Sequence, residues 1–87
     1  MHVDFTTKQD KITDYAVVLT IVTDGTHTVR LYDGAHGFNE LHRYSSTAGK
    51  QPGEAFHHGT LGEGMRWAIQ RMESGYEEMI EAWRERT

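Results

Sequence analysis

The first half of the chain contains two neighbouring stretches rich in the side chains that β-strands favour. Residues 12–23 are mostly β-branched and aromatic and show no helical periodicity, and residues 26–32 follow the same pattern. Asp24 and Gly25 separate the two stretches. Asp-Gly in this position is a strong hairpin signal, because both residues tolerate positive φ. The sequence therefore predicts a β-hairpin closed by a two-residue turn.

The predicted turn also determines which residues face each other across the hairpin. Thr23 would oppose Thr26, and the residues before and after them would divide between two faces. Val18 lies on one face of the first strand and Val17 on the other, and both faces are apolar along most of its length. A sheet with one solvated face would instead alternate apolar and polar residues. We therefore expect both faces of the sheet to be covered.

Shorter elements are predicted on either side of the hairpin. Residues 1–10 show no periodicity and are expected to form a flexible arm or an edge strand. Glycine and polar residues predict a turn at residues 33–37 and a loop at residues 45–53. Further short strands are predicted between and after these segments, at residues 38–44 and 54–58.

A long helix is predicted for the C-terminal part of the chain. Thr60 and Glu63 have the spacing of a capping box, which marks a helix start. Apolar residues then recur at alternating spacings of four and three, which is the period of one helix face: Met65, Ile69, Met72, Tyr76, Met79 and Trp83. Gly75 lies beside this stripe. Either the helix is continuous and Gly75 permits close backbone approach, or one helix ends at Ser74 and another begins near Tyr76.

These elements together predict an α+β fold in a single domain, residues 1–87. An antiparallel β-meander of three to four strands would occupy residues 12–58, and one long C-terminal α-helix over residues 60–85 would pack on it. Arg84 and Arg86 would lie in the last turn of this helix, where positive charge complements the helix dipole.

A single helix can cover only one of the two apolar sheet faces. A homodimer would cover the other face with a second chain, and the alternative is that the N-terminal arm and the long loop cover it. Protein–protein contact, with itself or with another protein, is therefore expected. The candidate interface residues are the apolar and aromatic side chains of the predicted helix outside its first turn: Trp67, Tyr76, Met79, Ile80 and Trp83.

Composition and charge narrow the possible functions. The net charge of −4 argues against a dedicated duplex-DNA binder, and the absence of cysteine excludes disulfides and thiolate chemistry. No apolar run is long enough to span a membrane, and residues 1–8 lack the apolar core of a signal peptide, so a cytosolic protein is expected. No cofactor signature is present, and none is expected.

Titratable side chains are concentrated in residues 32–58, where four histidines and three carboxylates fall within turns and short strands. Imidazoles exchange protons near neutral pH, so a pair of them can serve as general acid and general base. The candidate catalytic residues are Asp33, His36, His42 and Arg43, with the arginine stabilising developing charge. This set suits metal-independent cleavage of RNA at the 2′-hydroxyl.

Two other interpretations of the same segment remain open. Asp33, His42, His57 and His58 are weaker candidates for a two-histidine, one-carboxylate metal site, because no familiar ligand spacing is present. The histidines can also be purely structural, and His42 on a strand can pair with a neighbouring carboxylate.

The order of motifs supports one family resemblance. Tyr32-Asp33-Gly34-Ala35-His36-Gly37, then His42-Arg43-Tyr44, then the step from residues 56–58 into a helix resemble small uncharacterised proteins of actinobacteria and their phages. The segment is more loosely similar to the TumE-type toxins of toxin–antitoxin pairs. The resemblance implies action on RNA through Asp33, His36 and His42. This chain has glycine at position 34, where that family commonly has asparagine.

Three functions are therefore carried forward. The first is a small intracellular accessory protein that acts by protein–protein contact. The second is a metal-independent ribonuclease-type toxin that uses the Asp/His cluster. The third is a histidine-based metal or pH sensor.

Overall fold

The computed structural model describes residues 1–85 and shows an antiparallel sheet with one long helix packed on it. The predicted α+β fold class is confirmed. The N-terminal residues form the edge strand that was one of the two alternatives for residues 1–10, and the unpredicted strand is a two-residue one within the predicted polar loop. In chain order the elements are β1 (His2–Lys8), β2 (Lys11–Val22), β3 (Thr26–Asp33), β4 (Asn39–Ser45), β5 (Gly49–Lys50), β6 (Glu54–His57) and α1 (Leu61–Glu85).

The strands follow each other through the sheet in the order β1-β2-β3-β4-β5, and β6 also pairs with β4. The two short strands bind different ends of β4. Lys50 of β5 pairs with Tyr44, whereas Glu54 of β6 pairs with Leu41. The N-terminal residues therefore extend the sheet as an edge strand and do not fold over its open face.

The predicted two-residue turn between β2 and β3 is wrong. Val22 pairs with Thr26, which leaves a three-residue loop, and a β-bulge between Leu19 and Thr20 restores the predicted register deeper in the hairpin. The physical reason is that neither Asp24 nor Gly25 has positive φ, so the turn type that requires it does not form. The Asp24 carboxylate instead accepts a hydrogen bond from the Thr23 hydroxyl at 2.9 Å.

The tight turn with positive φ closes the preceding hairpin. Lys8 pairs with Lys11, so only Gln9 and Asp10 lie between β1 and β2. Their φ values are 52° and 63°, which is the left-handed conformation that such two-residue turns require. A two-residue turn thus joins β1 to β2, although the sequence around Gln9 contains no glycine that would predict it.

The core lies between one face of the sheet and α1. Val17 and Tyr32 face each other on β2 and β3, and both are almost fully buried. The predicted helical stripe is largely confirmed, because Met72, Met79 and Trp83 are buried and only Tyr76 is exposed. Gly64, Ala68 and Gly75 complete the buried face. The buried apolar residues are Tyr15, Val17, Leu19, Val29, Tyr32, Leu41, Ala68, Met72, Met79 and Trp83.

The predicted capping box is present at the start of α1. The backbone N–H of Thr60 donates to the Glu63 carboxylate at 2.8 Å, and the N–H of Glu63 donates to the Thr60 hydroxyl at 3.1 Å. Farther along, Gly75 has non-helical angles (φ −134°, ψ 15°) and forms a kink at which two helical stretches of α1 meet, so the helix is not regular through Gly75. The predicted backbone approach at Gly75 is absent, because the atoms nearest to an added Cβ belong to the Arg71 side chain.

Arg84 lies in the last turn of α1, as the sequence predicts, whereas Arg86 lies outside the described residues. Within residues 1–85, no helix is both long and apolar enough to cross a bilayer.

Candidate metal centre

Three polar side chains share the sheet face that points away from α1. Asp33 at the end of β3 pairs directly with Glu40 on β4, and His42 lies two residues farther along β4. Tyr32 and Leu41, which alternate with these residues, are buried in the core. Because side chains alternate along a strand, Asp33, Glu40 and His42 project from the opposite face.

The turn between β3 and β4 brings a fourth side chain to the same place. The Asp33 carboxylate accepts a hydrogen bond from the N–H of Ala35 at 3.2 Å, and Gly37 takes a φ of 84°. These features reverse the chain so that His36 lies over β4, with its Nδ1 2.9 Å from Glu40 Oε1. A local turn and a strand pairing therefore assemble what we call the acid–histidine cluster: Asp33, His36, Glu40 and His42.

The donor atoms of the cluster have the spacing of metal ligands. One ligand atom from each of Asp33, His36 and Glu40 lies within 4.8 Å of the other two. His42 Nε2 lies 3.2 Å from Glu40 Oε1. Ligands about 2.0–2.2 Å from a common ion stand roughly 3–4 Å apart, so small movements would bring Asp33, His36 and Glu40 onto one ion. His42 adjoins this group through Glu40.

The two carboxylates of the cluster are buried, so their negative charges are costly unless they are compensated. Asp33 is 7% exposed and Glu40 is 8% exposed, although the two carboxylates face each other across neighbouring strands. Like charges in this position are destabilising, and buried charges require compensation. The hydrogen bond from His36 is the main cause that lowers the pKa of Glu40, and His42 lowers it further, while desolvation opposes both.

The environment of Asp33 also affects a core tyrosine. Burial raises the pKa of Tyr15 far above its ordinary value, and the negative charge of Asp33 raises it further. The Tyr15 hydroxyl donates a 2.7 Å hydrogen bond to Asn39 and remains neutral. Tyr15 therefore adds no negative charge to the carboxylates of the cluster.

The hydrogen bonds of His42 point to a cation. His42 Nδ1 lies 3.2 Å from the Gln51 carbonyl oxygen, which can only accept, so Nδ1 carries a proton. In a neutral ring Nε2 is then an acceptor, yet it faces the Glu40 carboxylate oxygen at 3.2 Å. Two acceptors in contact repel each other, and either a second proton on the ring or a metal ion between the two atoms removes the conflict.

Of the four candidate catalytic residues, the structure brings Asp33, His36 and His42 together and separates Arg43 from them. Arg43 pairs across the sheet with Arg30, whereas His42 pairs with Leu31, so the two side chains lie on opposite faces. The Arg43 guanidinium forms an ion pair with the Glu54 carboxylate.

The two other candidate metal ligands also lie outside the cluster. His57 lies close to Gly59 and to the Glu63 side chain at the start of α1. His58 is exposed in the loop before α1. Neither histidine belongs to the group of described residues whose ligand atoms converge with Asp33.

The candidate interface residues divide into two groups. Met79 and Trp83 are buried against the sheet, and Ile80 is half-buried, so the first two already belong to the core of one chain. Trp67 is 40% exposed and Tyr76 is 45% exposed. The exposed members are thus the ones available to a partner.

Glu40 is the site residue that was absent from the predicted set. A sequence signal for it existed, because Glu40 and His42 are two residues apart in a predicted strand and must share a face. The pairing of Asp33 with Glu40 depends on the register across the turn, and the sequence alone does not determine that register.

Comparisons with known proteins give no match to a family model, to a curated protein or to a solved structure. The resemblance to actinobacterial and phage proteins and to TumE-type toxins therefore stays a prediction.

Proposed function

We propose that this protein binds a divalent transition-metal ion at the acid–histidine cluster and acts as a histidine-based metal sensor. The convergence of ligand atoms from Asp33, His36 and Glu40 within 4.8 Å, on a sheet that also presents His42, carries the proposal. Imidazole nitrogen and carboxylate oxygen form a mixed donor set, which suits zinc, iron and similar ions. Two carboxylates balance the charge of a divalent ion.

The groups that contact the histidines of the cluster also fit a metal site. Metal-bound histidines commonly donate their other ring N–H to a backbone carbonyl, which fixes the tautomer. His42 does so toward Gln51. His36 is 68% exposed and has its ring at the surface, so it can move to meet an ion that approaches from solvent.

The geometry favours metal binding over metal-independent cleavage of RNA. The latter chemistry needs a cation near the developing negative charge, and Arg43 was the candidate. Arg43 lies on the opposite face, and the buried neighbours of His36 and His42 are carboxylates. The ribonuclease hypothesis stays a prediction, and growth after induced expression of wild type and of the His36→Ala/His42→Ala variant tests it.

A cobalt titration tests the proposed metal function. Co²⁺ reports its coordination through its visible spectrum, and Zn²⁺ should then displace it. We expect wild-type protein to bind one Co²⁺ per chain and the Glu40→Gln and His42→Ala variants to bind it at least tenfold more weakly. His58→Ala, which changes a histidine outside the cluster, is the matched control. Absence of saturable Co²⁺ and Zn²⁺ binding by folded wild-type protein would overturn the proposal.

We also propose protein–protein contact as a second function, on the basis of one exposed side chain. Trp67 is held rigidly, because its ring lies 5.1 Å from that of Phe56 and 6.1 Å from that of Tyr32, yet 40% of the residue remains exposed. Rigid, partly exposed tryptophans are frequent anchors of interfaces. Affinity capture with wild type and Trp67→Ala, with Glu77→Gln as the control, tests this function. Loss of one specific partner with Trp67→Ala alone is the expected result.

A further inference from the structure

Backbone hydrogen bonds attach the polar segment before β6 to the edge of the sheet. We call residues 49–53 the strap. Its first two residues form β5 and pair with Ser45 and Tyr44, and the N–H of Gln51 donates to the Arg43 carbonyl at 2.8 Å. Gly49 has a φ of 73°, a conformation that glycine adopts without strain. The strap is therefore held to β4 by backbone hydrogen bonds.

The strap also touches two members of the acid–histidine cluster. The Gln51 carbonyl accepts the hydrogen bond from His42 Nδ1 at 3.2 Å. Two residues later, a Cβ on Gly53 would overlap the Glu40 carboxylate and would lie 2.6 Å from His42 Cε1. The backbone at position 53 thus lies so close to Glu40 and His42 that any side chain larger than that of glycine would collide with them.

We propose that the strap positions His42 for the metal, with Gln51 and Gly53 as its positioning residues. This inference rests on the proposed metal function and assigns a regulating element to the same site. The Gln51 carbonyl holds the proton on Nδ1 and directs the Nε2 lone pair toward Glu40. Gly53 lets the strap lie low enough for that hydrogen bond to form.

The consequence is that strap docking and metal binding stabilise each other. With the strap docked, His42 Nε2 lies 3.2 Å from Glu40 Oε1, which is close enough for one metal ion to bind both atoms. By linkage, an ion that favours the docked strap is itself bound more tightly when the strap is docked. Metal binding therefore stabilises the docked position of residues 49–53 on the edge of β4.

The first test compares two glycine substitutions in the full chain. Gly53→Ala raises the strap above the site, whereas Gly25→Ala lies in the β2–β3 loop with no atom within 4 Å of the added Cβ. We expect Gly53→Ala to weaken Co²⁺ binding at least tenfold and to change the visible spectrum of the bound ion, and Gly25→Ala to do neither. Loss of a hydrogen bond that orients a metal-binding histidine commonly has an effect of this size.

Nitrogen-15 spectra of the His42 ring separate positioning from general loss of structure. In zinc-loaded wild type, Nδ1 should carry the proton and Nε2 should bind the ion. In Gly53→Ala this assignment should be lost, while the signals of His27 at the far end of the sheet remain. Unchanged affinity and an unchanged His42 tautomer in Gly53→Ala would overturn the role of the strap.

Amide hydrogen exchange in wild type provides a test without substitution, which decides the matter if Gly53→Ala does not fold. We expect saturating Zn²⁺ to slow exchange at the Gln51 N–H, which bonds to Arg43, and to leave the Thr23 N–H unaffected. Zinc binding without slower Gln51 exchange would overturn the inference while leaving the metal function intact. Failure of wild type to bind zinc or cobalt at all would overturn the metal function itself.

Discussion

The buried side chain of Asn39 shows how one residue can hold two elements together. Its amide nitrogen donates to the carbonyls of Gly59 and Thr60, both at 3.1 Å, and its oxygen accepts from Tyr15. All of its strong hydrogen-bonding groups are therefore used, although it is 1% exposed. The start of β4, which precedes Glu40, is thereby fixed against the start of α1.

The close packing against Asn39 predicts opposite behaviour for two glycines of α1. A Cβ on Gly64 would overlap the Asn39 amide, whereas a Cβ on Gly62 would lie 3.5 Å from Ile12 in ordinary contact. We expect Gly64→Ala to lower the free energy of unfolding by roughly 2 to 3 kcal/mol through overpacking. Gly62→Ala should be neutral or stabilising, because alanine favours helix. Chemical denaturation measures both, and equal effects would contradict the packing argument.

A second prediction at the residue scale concerns pH. Hydrogen bonds from Thr60 lower the pKa of Glu63 in the folded state. A carboxyl whose folded pKa is depressed contributes stability above its unfolded pKa, and this contribution is lost as pH falls through the folded pKa. Between pH 7 and pH 3, wild type should therefore lose more unfolding free energy than Glu63→Gln. Urea titrations at the two pH values measure the difference, and Glu81→Gln, a change at an exposed helix residue, should behave like wild type.

At the scale of elements, the order of the strands and the helix was predictable, and so was the turn between β3 and β4, but the geometry of the first two hairpin turns was not. The apolar stretches around Val17, the capping box at Thr60 and the helical stripe determine the α+β fold. Positive φ occurs at Gln9 and Asp10 and not at Gly25. The two-residue turn therefore lies between β1 and β2 and not, as predicted, between β2 and β3. Tertiary context, here the bulge in the β2–β3 hairpin, overrides the local preference of Asp-Gly.

This difference predicts the effect of substitutions in the two turns. Gly25→Ala should be neutral or stabilise the fold by about 0.5 kcal/mol, because Gly25 has no positive φ and its surroundings are open. Gln9→Val should destabilise it by roughly 1 kcal/mol or more, since a β-branched residue is strained at a φ of 52°. Thermal and urea unfolding measure both. A loss of stability in Gly25→Ala comparable to that in Gln9→Val would show that the predicted two-residue turn forms after all.

The candidate site was predictable only in part, for a related reason. Asp33, His36 and His42 could be selected from local composition, since they lie within ten residues of one another. Glu40 and the Gln51 carbonyl enter through strand register and through the path of the strap. Neither is encoded in a short motif, because backbone pairing between distant residues determines both.

At the scale of the whole molecule, the sheet has one covered face and one largely uncovered face. α1 packs on the face that carries Val17, and the strap reaches the other face only near Glu40 and His42. Val18 and Leu31, which pair across β2 and β3, lie on that other face and are only half-buried. A chain of 10.0 kDa has little core to spare, so burial of this surface would add substantially to its stability.

We therefore expect the homodimer predicted from the two-faced strand to form through the uncovered face around Val18. Wild type should have a solution mass of twice 10.0 kDa by light scattering, and Val18→Lys should have the mass of one chain. Val22→Lys is the matched control, because Val22 lies at the exposed end of the same strand and should leave the mass unchanged. The physical reason is that a lysine at position 18, beside Leu31, would have to bury its charge on association. A wild-type mass of one chain over the whole accessible concentration range would contradict the dimer, and a dimer unaffected by Val18→Lys would place its interface elsewhere.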